Sequence, residues 1–292
     1  MKEIPSDKLN VRNDIVYEIN SQTPFTGNEV QYYETGEIEF KFCYKDGQRE
    51  GESITYYVSG QWNIKANYKK GELNGSWKSY YENGQLKEKS TYKNDIYDGP
   101  YESYHENGQL KGKSTYKNGV TDGPYESYHE NGQLEERAIY KVAVKDGPVE
   151  TYYKNGQMEF KYTYKNGVID GLYECYYENG QLLIKHTYKN NILDGPYETY
   201  HENGQLESKG TYKNGENASY ERYYDDGQLE SKCYHTFFWS LARRVYEHYY
   251  ENGQLRLKYS LNEVEEGPFK SYYENGQLET KGTYKDGEFL PD

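Results

Sequence analysis

Cysteine and long apolar runs are scarce in this 292-residue chain. Its three cysteines, Cys43, Cys175 and Cys233, lie far apart and form no CxxC pair, which gives no support to a disulfide framework or a zinc site. No apolar run approaches the roughly 18 residues that cross a bilayer, and the opening MKEIPSDKLNVRND lacks the apolar core of a signal peptide. These absences predict a cytoplasmic protein with free thiols.

Positive charge is also in deficit. The chain has 48 acidic and 35 basic residues, a net charge of −13. An acidic surface repels phosphate groups, which disfavours nucleic acid and anionic membranes as partners. The charge balance favours a basic protein as the partner.

Large aliphatic side chains are few. Leu, Ile, Val and Phe total 47 residues, a fraction that usually accompanies disorder in a highly charged chain. The 39 tyrosines change this expectation, because a tyrosine can bury its ring while its hydroxyl stays in water. We therefore expect a folded chain whose core is rich in tyrosine.

One unit repeats along the chain. Residues 99–122 read GPYESYHENGQLKGKSTYKNGVTD, and the glycine of the NGQ turn recurs in eleven units. These glycines are Gly36, Gly60, Gly84, Gly108, Gly132, Gly156, Gly180, Gly204, Gly227, Gly253 and Gly276. The first seven intervals are 24 residues long and the last three are 23, 26 and 23.

Each unit is predicted to form a β-hairpin. Eight of the eleven turns carry Asn-Gly, as at Asn107-Gly108, which predicts a two-residue type I′ turn. Counting outward from that turn predicts the pairs His105–Leu110, Tyr104–Lys111, Ser103–Gly112, Glu102–Lys113 and Tyr101–Ser114.

The alternation of a strand then separates two faces of each hairpin. The predicted packed face carries Tyr101, Ser103, His105, Leu110, Gly112, Ser114 and Tyr116. The predicted polar face carries Glu102, Tyr104, Lys111, Lys113 and Thr115, with an ion pair between Glu102 and Lys113. Two positions of the repeat are assigned structural roles: the tyrosine that every unit carries and the glycine of the turn. They include Tyr104, Tyr128, Tyr152, Tyr176 and Tyr200, with Gly108, Gly132, Gly156, Gly180 and Gly204.

These hairpins predict an all-β fold, an elongated antiparallel β-meander or open β-solenoid of about eleven 24-residue repeats. Some 22 strands at about 4.8 Å each would extend roughly 100 Å, too far for an ordinary closed sheet. We assign residues 1–26 to an N-terminal cap with an entry strand and residues 27–292 to the repeat array. The array is irregular at 215–246 and ends in a C-terminal cap at 283–292, and self-association is left open.

The unit YYENGQL…K…YKNG…DG resembles the MORN-variant repeat, and Asp14–Gly27, DIVYEINSQTPFTG, resembles the opening strand of YwqK-family antitoxins. The resemblance covers nearly the whole chain from Asp14. It implies an immunity protein or antitoxin that binds and neutralises a polymorphic toxin, which is often encoded beside it. MORN-type repeats otherwise serve as scaffolds with varied roles.

Nothing in the sequence predicts catalysis, a cofactor or a metal. An active site needs residues with unequal roles at one place, whereas His105, His129 and His201 occupy a position that is Tyr in the other eight units. The remaining histidines, His186, His235 and His248, lack metal-ligand spacing. We therefore expect a protein that is not an enzyme.

Two features are candidates for partner binding. Nine of the eleven turns carry an acidic residue at the same position, which predicts an acidic edge that could attract a basic partner or serve only to keep the protein soluble. These residues are Glu34, Glu82, Glu106, Glu130, Glu178, Glu202, Asp225, Glu251 and Glu274, and we assign partner contacts to Glu178, Glu202, Asp225 and Glu251.

The second candidate is the broken unit CYHTFFWSLARRVY at 233–246. It brings Phe237, Phe238 and Trp239 next to Arg243 and Arg244, the residue types that dominate interface hot spots. The alternative is a repeat whose sequence has diverged and whose aromatic residues pack against the adjoining sheet.

The family resemblance and these features together favour an antitoxin that occludes a toxin. The alternative is a non-enzymatic scaffold or a module that binds phospholipid, glycan or choline.

Overall fold

The computed structural model describes residues 2–238 and 241–292, and the one helix in them is a single 3₁₀ turn at Ser6–Lys8. Strands and turns account for the rest of the regular structure, which confirms the all-β prediction. The chain divides into two compact units, Met1–Gly147 and Pro148–Asp292, here called the N-terminal and C-terminal units.

The strands of the N-terminal unit are β1 (Glu3–Pro5), β2 (Leu9–Arg12), β3 (Ile15–Glu18), β4 (Gly27–Tyr32), β5 (Ile38–Lys45), β6 (Gln48–Arg49), β7 (Gly51–Tyr56), β8 (Trp62–Lys69), β9 (Glu72–Tyr80), β10 (Leu86–Lys93), β11 (Ile96–Tyr104), β12 (Leu110–Lys117), β13 (Val120–Thr121), β14 (Gly123–Tyr128), β15 (Leu134–Lys141) and β16 (Val144–Lys145).

The strands of the C-terminal unit are β17 (Gly147–Tyr152), β18 (Met158–Lys165), β19 (Val168–Tyr176), β20 (Leu182–Lys189), β21 (Ile192–Leu193), β22 (Gly195–Tyr200), β23 (Leu206–Lys213), β24 (Glu216–Tyr223), β25 (Leu229–Phe238), β26 (Leu241–Tyr249), β27 (Leu255–Leu261), β28 (Gly267–Tyr272), β29 (Leu278–Lys285) and β30 (Glu288–Pro291).

Within each unit, successive strands pair antiparallel in chain order, as in β11 with β12 and β25 with β26. The order is the meander of hairpins that the repeat predicts. Strand β1 differs, because it runs parallel to β4 with Glu3 opposite Asn28 and so covers the outer edge of that strand. Strands β2 and β3 form a separate two-stranded sheet.

The turn at Asn107-Gly108 is not the predicted type I′ turn. The Gly108 N–H donates to His105 O at 2.9 Å, Gly108 has φ +84°, and Asn107 is not among the residues with positive φ. His105 N–H also donates to Gln109 O at 2.8 Å, so the three residues 106–108 lie between this bonded pair and end in a left-handed glycine. The Asn107 side chain accepts from Gln109 N–H at 2.9 Å and donates to Glu130 O at 3.1 Å, so it stabilises its own turn and contacts the next repeat.

The type I′ geometry occurs instead at the second turn of the repeat. Asn118 and Gly119 have φ +49° and +83°, and they link the paired residues Lys117 and Val120. The sequence predicted only a loop at this place. Each 24-residue unit thus contains two hairpins of different geometry.

The predicted register is correct for three of its five pairs. Ser103–Gly112, Glu102–Lys113 and Tyr101–Ser114 are confirmed. The two pairs nearest the turn are wrong, since Tyr104 lies opposite Leu110 and a bulge follows on the β12 side. The longer turn shifts the register by one residue, and the bulge shifts it back.

The predicted packed face is confirmed by the burial of its central positions. Most of the buried side chains among residues 27–292 occupy the positions of Tyr101, Ser103, Gly112 and Ser114 in their own repeats, while Asn28, Val30, Val245 and Glu247 are buried on the opposite face. The buried residues of the packed face include Ser53, Ala66, Ser79, Ser90, Ala138, Val149, Cys175, Tyr197, Ser231 and Cys233. A separate aliphatic and aromatic cluster of Ile4, Val16, Phe25 and Tyr44 closes the start of the N-terminal unit.

A side-chain hydrogen bond also joins consecutive repeats. Tyr81 Oη donates to Tyr104 O at 2.8 Å, and Tyr177 Oη donates to Tyr200 O at 2.9 Å. His105 Nε2 lies 2.9 Å from Tyr128 O at the equivalent place, which confirms the interpretation of this histidine as a substitute for tyrosine.

Removing this hydroxyl should weaken the array. We expect Tyr81→Phe to lower the free energy of unfolding by about 1 kcal/mol, because the Tyr104 carbonyl loses its donor. His105→Tyr keeps a donor at the equivalent position and should leave stability unchanged. Urea denaturation of the full chain measures both, and equal stability of Tyr81→Phe and wild type would contradict the prediction.

One second turn carries residues that are unsuited to its geometry. Val142 and Ala143 have φ +50° and +63° where the preceding repeat has Asn118 and Gly119. A left-handed conformation costs about 1–2 kcal/mol for an ordinary L-residue and is a clear outlier for a β-branched one. The unit therefore folds with local strain at this turn.

Relieving the strain should stabilise the protein. We expect Val142→Asn combined with Ala143→Gly to raise the free energy of unfolding by about 2 kcal/mol. The reverse exchange, Asn118→Val with Gly119→Ala, should lower it by a similar amount. Denaturant midpoints of the two double variants check this, and shifts of the same sign would refute it.

Candidate functional site

The tyrosine that every repeat carries has a polar role. Tyr104 Oη donates to Glu102 at 2.5 Å on the same strand face, and Tyr200 donates to Glu198 at 2.8 Å. Burial, followed by this bond to Glu102, raises the pKa of Tyr104 to about 12. The equivalent bonds join Tyr128 to Glu126, Tyr152 to Glu150, Tyr176 to Glu174, Tyr223 to Glu221 and Tyr249 to Glu247.

Ion pairs on the same face connect neighbouring hairpins. Glu102 and Lys113 lie opposite each other as predicted, but Lys113 Nζ makes its close contact with Glu126 of the next repeat at 2.7 Å. Glu102 in turn contacts Lys89 of the preceding repeat at 3.3 Å. Lys89, Lys113, Lys209 and Lys232 each join their repeat to the following one in this way, whereas Lys258 pairs with Glu247 of its own repeat.

The acidic residues of the first turns are exposed on one edge of each unit, including Glu178, Glu202, Asp225 and Glu251. Neighbouring turns touch, since the Asn83 side chain donates to Glu106 O and that of Asn179 donates to Glu202 O, each at 3.1 Å. The exposed carboxylates therefore follow one another along the edge, as the spacing predicts.

A cavity of about 460 Å³ opens on this acidic edge in the C-terminal unit. Its lining residues are His201, Glu207, Arg222, Tyr223, Tyr224, Asp225, Asp226, Glu230 and Glu251. It brings together two of the predicted contact residues, Asp225 and Glu251. His201 Nε2 lies 3.3 Å from Asp225 and Arg222 Nε lies 3.8 Å from Glu230. The lining has five carboxylates and one arginine among the described residues.

The described residues of the broken unit form two paired strands, and residues 234–238 and 241–243 are here called the arm. Pairing of β25 with β24 ends at Cys233, and pairing of β26 with β27 ends at Arg244. Beyond these points β25 and β26 pair only with each other among the described residues, through Tyr234–Val245 and His235–Arg244 at the base of the arm and through Thr236–Arg243, Phe237–Ala242 and Phe238–Leu241 farther along it. In the part of the arm that the structure describes, neither outer strand edge pairs with another strand.

The predicted hot-spot residues belong to this arm or to its base. Arg244 is exposed and its Nε donates to His235 Nε2 at 3.2 Å, and Arg243 lies opposite Thr236. Trp239 lies outside the described residues, as do the side chains of Phe237 and Phe238. Their assignment to a partner stays a prediction.

A buried carboxylate anchors the base of the arm. Glu247, whose side chain is 8% exposed, accepts from Lys232 at 2.8 Å, Lys258 at 2.7 Å, Tyr234 at 3.0 Å and Tyr249 at 2.6 Å. Burial opposes its ionisation, but these four donors outweigh burial and lower its pKa to about 2. The sequence analysis missed this network. Its signal is Tyr234, which stands where the regular repeat has Thr115.

The two predicted contact regions lie at opposite ends of one hairpin. Asp225 precedes β25 and Glu251 follows β26 at the acidic edge, whereas the arm lies at the far end of these strands. The ten residues of β25 extend roughly 30 Å at about 3.3 Å each. A partner that touches both regions must therefore cover the length of the hairpin.

The MORN repeat variant model matches ten segments that together cover most of the chain. The chain belongs to the MORN repeat variant family. The matched segments are 25–46, 73–94, 97–118, 121–141, 145–166, 169–190, 193–214, 216–236, 245–262 and 265–286. The match lapses over 237–244, so most of the arm lies outside the MORN repeat pattern.

Similar solved structures add no functional argument. The chain aligns with "Crystal Structure of TcdB2-TccC3 without hypervariable C-terminal region" at 16% identity and a TM-score of 0.22, and with "Crystal Structure of TcdB2-TccC3-TEV" at 15% and 0.21. Each alignment covers 87% of this MORN chain but only 16% of the other. No curated protein matches the sequence.

Two further properties concern the described residues alone. None of their helices is long and apolar enough to cross a membrane. They contain no group of three or more His, Cys, Asp or Glu side chains that could hold a metal ion.

Proposed function

We propose that this MORN-repeat chain is a non-enzymatic, cofactor-free binding protein that neutralises a basic toxin by covering its surface. The observation that carries the proposal is the arm, a self-paired hairpin that interrupts an otherwise regular array. Its free strand edges offer backbone hydrogen bonds, and its aromatic and arginine residues are of the types that supply most binding energy in interfaces.

The acidic edge supports a basic partner. The net charge is −13, and the cavity at Asp225 and Glu251 concentrates carboxylates at one end of the arm's hairpin. The negative electrostatic field of these carboxylates raises the association rate with a positively charged protein more than it raises the affinity of the final complex. In this proposal the edge attracts the toxin and the arm holds it.

The test is to express the chain in one cell together with the protein encoded beside it. Growth of the cells and co-purification of the two proteins are measured. The arm variant replaces residues 237–242 by Asn-Gly, which restores the turn that links Lys117 to Val120 in a regular repeat. We expect the wild type to protect the cell and this variant to bind at least tenfold more weakly. A variant that protects as well as the wild type would overturn the role of the arm, and a wild type that neither binds nor protects would overturn the proposed function.

A second pair of variants tests whether the acidic edge speeds association with the partner without affecting how long the complex lasts. Asp225→Asn with Glu251→Gln should slow association about tenfold at low salt and leave dissociation nearly unchanged. Glu106→Gln with Glu130→Gln is the matched control, because it removes the same two charges from the same turn position in the N-terminal unit. Equal association rates for the two double variants would contradict a role for the acidic cavity.

A further inference from the structure

An aromatic cavity of about 430 Å³ lies beside β27, β28 and β29 in the C-terminal unit. Its lining includes Tyr259, Phe269, Tyr284, His248, Leu257 and Glu265. The volume falls in the range of pockets that hold small molecules. The cavity is distinct from the acidic cavity and shares none of its lining residues.

Three rings of the cavity stand close together in different orientations. The Phe269 centroid lies 6.4 Å from that of Tyr259 with planes 33° apart, and 5.8 Å from that of Tyr284 with planes 86° apart. A cation is attracted to an aromatic face within about 6 Å of its centroid, so one positive group can contact more than one of these rings. Each ring is half-buried, which keeps the contact partly shielded from water.

The polar groups of the cavity favour a cation. Among the described residues that line it, Glu265 is the one carboxylate and none is a lysine or arginine. Burial, with Arg256 nearby, lowers the pKa of His248, so that ring stays neutral near pH 7. The lining therefore has a net negative charge on an apolar, aromatic wall.

We infer that this cavity binds a quaternary ammonium group, with the rings of Tyr259, Phe269 and Tyr284 around its methyl groups and Glu265 as counter-charge. A primary ammonium is strongly hydrated and loses that hydration against a mainly aromatic and aliphatic wall. A trimethylammonium carries no N–H group and suits aromatic walls. This binding is independent of toxin neutralisation, since it uses neither the arm nor the acidic edge.

The test is calorimetric titration of the full chain with choline and with 3,3-dimethylbutan-1-ol, the isostere in which carbon replaces the charged nitrogen. We expect choline to bind at least tenfold more tightly. Glu265→Gln should weaken choline about fivefold and leave the neutral isostere unaffected. Glu263→Gln, an exposed change in the same loop but outside the lining, should alter neither.

The outcomes decide between cation binding and simple apolar contact. Equal affinities for choline and its isostere would overturn the inference, and so would absence of choline binding or an equal effect of Glu263→Gln. Phe269→Leu should weaken choline binding at least tenfold, and circular dichroism of the variant verifies that it is folded.

Titration with free trimethyl-lysine identifies which molecule supplies the quaternary ammonium group. Tighter binding than that of choline indicates a methylated protein side chain, and weaker binding indicates a small metabolite.

Discussion

Glu247→Gln should lower the free energy of unfolding by about 3 kcal/mol, since it removes the charge that two lysines share in a buried site. The amide cannot satisfy Lys232 and Lys258 as a carboxylate does, so both ammonium groups lose their counter-charge. Denaturant unfolding of the full chain, followed by near-ultraviolet tyrosine signals, measures the loss.

Glu221→Gln is the matched control for this change. Glu221 holds the same position in its repeat and contacts Lys209 at 2.9 Å and the Tyr223 hydroxyl, but its side chain is 39% exposed. Solvent screens such a pair, so we expect a loss of only about 1 kcal/mol. Similar losses in the two variants would show that burial of Glu247 has no special effect.

Acid should reproduce the effect of Glu247→Gln. The pKa of Glu247 is lowered from 4.5 to about 2 in the folded protein. Its ionised form therefore contributes full stability above the unfolded pKa of 4.5, and this contribution disappears as the pH falls from there towards 2. The stability difference between wild type and Glu247→Gln should shrink over the same range, and a constant difference would contradict the assignment.

The register shows how far the sequence could predict the fold. Counting outward from Asn107-Gly108 predicted Glu102–Lys113 correctly although the turn was assigned the wrong type. A three-residue turn and the bulge after Leu110 each displace the strands by one residue in opposite directions, so the errors cancel. Asn-Gly is compatible with both turn types, and the contact of Asn107 with Glu130 of the next repeat distinguishes them. That contact exists only once the repeats have stacked.

The hairpin that departs from the regular repeat was predictable in location and not in form, and its assignment to a partner stays a prediction. The loss of glycine signals at 233–246 identified the arm region in the sequence. Its self-pairing depends on where β24 and β27 stop, which is a property of the neighbouring repeats. The burial of Glu247 likewise arises from four side chains on three different strands, and no single repeat contains that information.

Gly210→Ala should lower the free energy of unfolding by about 3 kcal/mol, although Ala138 occupies the equivalent position of another repeat and is fully buried there. A Cβ at Gly210 would overlap the carbonyl oxygen of Ser219 and lie 2.6 Å from Tyr197 Cε1. The oxygen belongs to backbone, which cannot rotate away as a flexible side chain can. Urea denaturation of the full chain measures the loss.

Gly112→Ala provides the contrast for this variant. Gly112 is also buried, but a Cβ there would lie 3.4 Å from Glu126 O and 3.5 Å from Ser103 Oγ, close to ordinary packing distances. We expect its stability to change by less than about 1 kcal/mol. The two glycines occupy different positions in their repeats, and Gly210 lies in the shorter one: the interval from Gly204 to Gly227 is 23 residues rather than 24, and β24 pairs with Gly210 and Thr211 across this shortened connection. A Gly210→Ala protein as stable as the wild type would mean that the shortened repeat has room for a side chain, and that the missing residue is accommodated elsewhere.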